Sequence, residues 1–263
     1  MTEAGRDLGL QGAANARDLG GYRCVDGRMV RPGMLLRSEA LTHATEPDLD
    51  ILRGLGVTMV IDLRGEAEAA GRGSGPWTGP RTHLPTTDVT QTLFVELMGA
   101  GPDAELLDED ALVKIMVEMY RQFVADESSR SAFSAALNLV LDTAGRGEAV
   151  LFHCTAGKDR TGWLAALALS GLGVDRASVY ADYLLTNERS GTGRGAEGRA
   201  RLLAAMRRMI GERQPLMPLL EVRSVYLDAA FAEVEERYGS VENFLVSGLG
   251  CDLDRFREAV LVP

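Results

Sequence analysis

The stretch Glu148-Ala149-Val150-Leu151-Phe152-His153-Cys154-Thr155-Ala156-Gly157-Lys158-Asp159-Arg160-Thr161-Gly162 decides how this 263-residue chain is read. A short apolar run stops at a cysteine, a polar loop follows, and residues 161–172 turn into an Ala/Leu helix, apolar nearly all round. An apolar run ending in polar residues is how a buried, parallel-type strand meets a functional loop. A helix apolar on every side belongs at the centre of a fold. A loop entering such a helix aims backbone N–H groups and the positive end of the helix dipole at one point, which makes an anion site. Gly157 lets that loop curl into a concave nest of N–H groups. Arg160, six residues after Cys154, returns across the loop with a planar fork that grips two phosphate oxygens.

Cys154 then lies at the bottom of a positive cup, where a thiolate is favoured. Thr161 is placed to offer its hydroxyl to that sulfur. A thiolate nucleophile, a phosphate cradle and a fork for equatorial oxygens are what in-line phosphoryl transfer to sulfur requires. The product is a cysteinyl-phosphate, hydrolysed by water in a second step. The expected substrate contacts are Thr155, Ala156, Gly157, Lys158 and Thr161, with His153 as structural support of the loop. A nucleotide-binding loop of the Walker type is excluded, because it needs Gly where Phe152 stands and Ser or Thr where Asp159 stands. A sulfur-carrier loop gives no reason for Arg160 and Thr161.

Outward from this segment, residues 56–64 read as a second buried strand ending in charge, and 81–84 as a short third one. A helix is expected over 47–55, capped by Thr45 and stopped by Gly56, and another over 129–142. Residues 91–124 have helical spacing with a break at 99–103; an amphipathic part such as 111–124 is more often core than gate. Tyr22 to Cys24 and Gly33 to Arg37 fit a hairpin near a sheet edge. Residues 191–198 read as a flexible linker, followed by three or four helices with breaks at 214–218 and 238–240.

The chain carries 28 Lys+Arg against 38 Asp+Glu, a formal charge of −10. That excludes nucleic acid as a partner, which needs a basic face for counterion release. It also makes an anionic membrane surface a poor default. Only Lys114 and Lys158 are lysines. Three scattered cysteines, Cys24, Cys154 and Cys251, make neither a disulfide framework nor a zinc site, and no metal or organic cofactor is implied. Glu3, Arg6 and Asp7 stand where a signal peptide would be apolar, and no run is long enough to span a bilayer. The cytoplasm is the default location.

Several segments share one likeness: Asn15-Ala16-Arg17-Asp18-Leu19-Gly20-Gly21-Tyr22, residues 31–41, Val60 to Arg64, the Cys-x5-Arg-Thr loop, and Ala181-Asp182-Tyr183-Leu184-Leu185-Thr186-Asn187. Together, and in this order, they resemble the bacterial cysteine-dependent tyrosine phosphatases typified by the mycobacterial secreted tyrosine phosphatase B. The resemblance implies an α/β fold over 1–263: a single phosphatase domain whose central, largely parallel sheet is flanked by helices. A helical lid would correspond to 91–120 and 191–220. It implies Cys154 as nucleophile and Arg160 as binder of phosphate and transition state, with phosphotyrosine proteins as substrates.

Lys158 and Asp159 match a Lys-Asp pair of that family. The acid that protonates the leaving group is then Asp159, inside the cradle. Asp88, in the Leu84-Pro85-Thr86-Thr87-Asp88 loop, is the alternative. A plainer role for Asp159 is to hold Arg160 or Lys158 in place. Lys158 as a rim ammonium would extend the substrates to phosphoinositides, alongside phosphoserine and phosphothreonine; as a mere offset to Asp159 it would not. Asn15, Arg17, Asp18 and Arg37 are expected to be scaffold, with Arg17 and Asp18 as a buried pair bracing the loop. The rival functions are a phosphoinositide phosphatase with little protein activity and a phosphate-binding pseudoenzyme. Relatives are exported without a recognisable signal, so export stands beside the cytoplasm.

Overall fold

Side chains alternate across a β-strand, so one buried strand can feed two apolar layers. Ala149–His153 (β6) does this in the computed structural model, which describes residues 4–86, 108–190, 193–210 and 215–263. Val150 and Phe152 enter a large layer, while Ala149 and Leu151 enter a smaller one on the opposite face. β6 is the middle strand of a five-stranded sheet, between Leu35–Ser38 (β3) and Val57–Asp62 (β4). Both pair with it in parallel, and Arg81–His83 (β5) adds a further parallel strand beyond β4. Arg17–Asp18 (β1) closes the other edge antiparallel to β3. A separate two-stranded pairing joins Met29–Val30 (β2) to Leu261–Val262 (β7).

Registers align the carboxyl ends of the parallel strands: Ser38 and Asp62 both face His153, and Asp62 faces His83. Loops leaving that edge are where an open α/β sheet places a site.

Glu46–Gly54 (α1) covers the small layer, starting after Thr45, whose backbone N–H donates to Asp48. The large layer packs Glu109–Ala125 (α3), Glu127–Gly145 (α4), Asp159–Gly171 (α5), Arg176–Arg189 (α6) and Ser224–Tyr238 (α9). As its composition predicts, α5 is buried on nearly every side, Trp163 included. Glu66–Arg72 (α2), Gly193–Ile210 (α7), Met217–Leu220 (α8) and Leu253–Val260 (α10) complete the helices used below. Among the described residues no helix is long and apolar enough to cross a membrane.

Two readings of the sequence are corrected. Gly33 to Arg37 does not hairpin with Tyr22 to Cys24: its antiparallel neighbour is β1, and the segment lies inside the sheet. Arg23 bridges Met29 instead, a pairing made by the turn at Gly27. The linker expected at 191–198 is helical from Gly193 on. A Cβ at Gly195 would lie 2.7 Å from the Arg189 carbonyl, so this glycine lets α7 start tight against the end of α6. The helix formers after Gly198 offset the glycines' poor propensity.

Of the segments read as a lid, residues 91–107, 191–192 and 211–214 lie outside the described residues, and so does Asp88. Residues 109–120 belong to α3, which packs along α9 with Leu112, Met116, Met119 and Tyr120 buried.

Candidate active site

The turn from β6 into α5 carries Cys154 to Lys158, with Asp159 and Arg160 on the first turn of the helix. Gly157 has φ +62, and a Cβ there would sit 2.3 Å from the carbonyl oxygen of Ser38. The loop is pressed onto the end of β3, which no side chain would permit. Cys154 is 2 % exposed, below the partly exposed Thr155 and the exposed Ala156. The Thr155 carbonyl accepts from the Ala40 N–H at 3.1 Å.

A buried polar cluster supports the back of the loop. The Gly157 carbonyl accepts from Asn15 Nδ2 at 2.7 Å and from Arg37 Nη2 at 2.8 Å. Arg37 Nη1 and Arg17 Nε both reach Asp182 at 2.8 Å. Asn15, Arg37 and Arg17 thus act as the expected scaffold, but Arg17 pairs with Asp182 and not with Asp18. Asp18 instead accepts from the N–H groups of Gly20 and Gly33 and meets Arg6. Strand alternation explains the correction: neighbours in β1 point to opposite faces. Burial would raise the Asp182 carboxyl, but the charges and hydrogen bonds of Arg17 and Arg37 outweigh it and hold it below its ordinary value. Burial, with the nearby charge of Arg17, lowers Arg37 to about 10, so it stays cationic at neutral pH.

At the front, Arg160 meets Glu68 of α2. Its Nη1 donates to Oε2 at 2.5 Å and its Nη2 to Oε1 at 2.9 Å, a bidentate pair. The Thr155 hydroxyl also donates to Glu68, and the Gly65 N–H reaches its Oε2 at 2.8 Å. One carboxylate therefore bridges the residue after the cysteine and the last residue of the cradle. Burial would raise Glu68, but Arg160, Thr155 and Gly65 overcome it and hold the carboxyl down at about 2.

Lys158 is buried and turned toward the main chain after α8. Its Nζ donates to the carbonyls of Leu219 at 2.7 Å and Glu221 at 3.4 Å, and lies 3.3 Å from Asp159 Oδ2. Asn187 holds the same segment by a two-way pairing with the backbone of Val222. Asp159 accepts from the Tyr120 hydroxyl at 2.9 Å and keeps its side chain 18 % exposed. His153 lies beneath the loop, with its Nδ1 2.9 Å from the Cys154 carbonyl oxygen. Burial lowers it to about 4, so the ring is neutral at pH 7. The Thr161 hydroxyl is fully buried and makes no hydrogen bond.

The structure thus brings together Cys154, Thr155, Gly157, Lys158, Asp159 and Arg160. Sequence reasoning missed Glu68, Tyr120 and the role of Asp182. For Glu68 a signal existed: Gly65-x-x-Glu68 after a charged strand end has the spacing of a capping box. Among the described residues no group of His, Cys, Asp and Glu could hold a metal ion.

A cysteine at the end of the central strand, a nest of turns behind it and an arginine six residues on define a phosphate-handling loop. Comparison with known proteins gives the class. The model of the tyrosine phosphatase family matches residues 8–261. A protein of Cupriavidus necator named as a tyrosine-protein phosphatase is 36% identical over 256 residues, covering 95% of this chain and 87% of its own. The triple specificity protein phosphatase PtpB of Mycobacterium tuberculosis is 33% identical over 269 residues, covering 90% of this chain and 91% of its own. Among solved structures, P. aeruginosa TpbA in complex with pTyr is similar with a TM-score of 0.32 at 15% identity, covering 88% of each chain. The chain belongs to the tyrosine phosphatase family and is a phosphatase.

Proposed function

We propose that this phosphatase hydrolyses phosphotyrosine in proteins through a cysteinyl-phosphate. The observation that carries the reading is the placement of Cys154 between a central strand and the first turn of a buried helix bearing Arg160. Cys154 Sγ attacks phosphorus while the bond to the tyrosyl oxygen breaks. The N–H groups of the loop and Arg160 take the charge on the equatorial oxygens. Asp159 gives a proton to the leaving oxygen. Water then attacks phosphorus, the S–P bond breaks, and the water proton passes to Asp159. Asp159 is preferred to Asp88 because it is joined to the cradle and keeps contact with solvent.

Phosphoserine, phosphothreonine and phosphoinositides are the wider range. The ammonium that suggested it is spent on two backbone carbonyls, so the reading rests on phosphotyrosine first.

The test is hydrolysis of p-nitrophenyl phosphate in metal-free buffer, with and without vanadate. Wild type should turn over and be inhibited, and Cys154→Ser should lose about 10⁴-fold or more, as when a covalent nucleophile is removed. Absence of turnover from pH 5 to 8 would sink the reading. Phosphate release from phosphotyrosine peptides against phosphoinositides then assigns the substrate class.

A further inference from the structure

Tyr120 looks like ordinary core. Its ring is fully buried on α3, with Phe123 at 5.0 Å, Tyr226 at 5.9 Å and Tyr183 at 6.2 Å between centroids. Spacing with Met116 and Phe123 along the helix explains the ring. It does not explain the hydroxyl, which donates to Asp159 Oδ1 at 2.9 Å and lies 2.8 Å from the hydroxyl of Tyr183. Tyr183, on α6, is equally buried and meets Tyr120 edge-on at 80°. With Tyr120 donating to the carboxylate, its oxygen is left to accept from Tyr183. A chain of two phenols thus runs from the core to one oxygen of Asp159. Burial, with the charge of Asp159, pushes both phenols well above their ordinary value, so both stay protonated.

The other carboxylate oxygen is differently placed. Oδ2 lies 3.3 Å from Lys158 Nζ, whose shorter contact is to the Leu219 carbonyl at 2.7 Å. Tyr226, on α9, also feels the charge of Asp159 from farther off.

We propose that Tyr120, backed by Tyr183, is a positioning residue that fixes the Asp159 carboxyl for proton transfer; the proposal rests on the reading of Asp159 as general acid. With Oδ1 accepting from Tyr120, the acid form carries its proton on Oδ2, where Lys158 Nζ, 3.3 Å away, keeps its donors on the Leu219 and Glu221 carbonyls. As the sulfur–phosphorus bond forms and the ester bond breaks, that proton passes from Oδ2 to the leaving oxygen. The carboxylate that remains is met at Oδ1 by a donor already in place, with no reorganisation. In the second step the water proton returns to Oδ2 as the S–P bond breaks. The phenol touches the acid and not the substrate, so its effect on the first step must scale with the leaving group's need for protonation, while any effect on the second is the same for every substrate.

That dependence is the test. The full chain is assayed on p-nitrophenyl phosphate, whose leaving group needs little protonation, and on phenyl phosphate, whose leaving group needs much. Tyr120→Phe, which keeps the ring, should leave kcat/KM on the first, which reports only the steps up to departure of the leaving group, nearly unchanged. It should lower kcat/KM on the second about tenfold, the size of effect expected for one hydrogen bond to a charged group. In an Asp159→Asn background the same substitution should add nothing.

Equal losses of kcat/KM on both substrates, or effects that multiply with Asp159→Asn, would overturn the proposal and leave Tyr120 as packing. If Asp159→Asn itself shows no leaving-group dependence, the acid reading falls and the proposal with it, a pattern distinct from the first. Should Tyr120→Phe fail to fold, Tyr183→Phe decides. It leaves the Tyr120–Asp159 bond in place and should give a smaller loss, again confined to phenyl phosphate; a loss on both substrates refutes the chain.

Discussion

The cysteine loop is held at its back and at its front by opposite means. At the back, Asn15, Arg17, Arg37 and Asp182 are between 0% and 4% exposed and come from three separate parts of the chain. They form two arginines on one carboxylate, ending on the Gly157 carbonyl. At the front a single carboxylate, Glu68, joins Arg160 and Thr155, and it stands on a seven-residue helix with no buried residue. Buried charge is tolerated only when it is paired and hydrogen-bonded, so the back must be complete for the loop to exist. The front is one arginine on one carboxylate, carried by a helix with no buried residue of its own, so it governs the shape of the cradle more than the fold. The back has a second consequence. Its net positive charge lies under the nucleophile, close enough that Cys154 and Arg37 interact electrostatically. An acidic protein thereby presents a cationic floor to phosphate.

The largest expected effect tests the back. Asp182→Asn leaves two buried guanidinium groups uncompensated and should destabilise the fold by about 3–5 kcal/mol, the penalty for breaking a buried pair from one side. Denaturant unfolding measures it. A loss no greater than that of a Glu68 variant would erase the contrast between back and front.

Glu68→Gln should do the reverse. It keeps the length and one acceptor but loses the charge, so kcat/KM should fall about tenfold to a hundredfold, as for a hydrogen bond to a charged group. Unfolding free energy should fall by less than in Asp182→Asn, because Glu68 pairs with one arginine where Asp182 pairs with two. The sign of the pH dependence follows from the carboxyl held at about 2. Its stabilising contribution is whole above the ordinary carboxylate range and is lost only as pH falls through about 2. From pH 5 to 8 the clamp stays closed, so the variant should lower the whole activity profile without moving its limbs. A moved limb would make Glu68 a titrating participant.

The contrast also explains what could be read in the sequence. The strand–loop–helix from Ala149 to Gly171, α1 after Thr45 and the β4 strand follow from local pattern, because period, caps and buried runs are local signals. Cys154 and Arg160 were legible for the same reason, since both lie within one turn of chain. Asp182 stood in a recognised motif, but its partners Arg17 and Arg37 lie 165 and 145 residues away, so only the fold could assign them. Glu68 reaches Arg160 across 92 residues. Tyr120 was invisible for another reason. A tyrosine at helical spacing among Met and Phe is a core residue by every local rule, and only its hydroxyl says otherwise.

His153 belongs to the buried side and gives a smaller, pH-dependent effect. Burial brings its folded value down from 6.5 to about 4. Between those values the unfolded chain binds a proton that the folded chain does not, so stability rises with pH and falls as pH drops from about 6.5 toward 4. The slope contributed by this one group is at most about 1.4 kcal/mol per pH unit. His153→Gln should flatten the acid side of the stability curve in that window and leave the region above pH 7 unchanged. A curve of unaltered slope would mean that the ring is already protonated in the fold.

Lys158 lies between the two regions, and the smallest effect decides where it belongs. Its ammonium is 2.7 Å from the Leu219 carbonyl and buried, which are properties of the back. Its neighbour in sequence is Asp159, and its position in the loop belongs to the front. If it is a tie to the main chain, Lys158→Met should reduce turnover of phosphotyrosine peptides and of phosphoinositides by the same factor, about threefold for the loss of one such bond. The ratio between the two substrates should then not change. If the ammonium leaves its carbonyls to meet a second phosphate, phosphoinositide turnover should collapse while peptide turnover holds. Parallel phosphate-release assays read this directly. A single buried lysine would then be a specificity element hidden in the brace, and the division between a structural back and a functional front would fail at that residue.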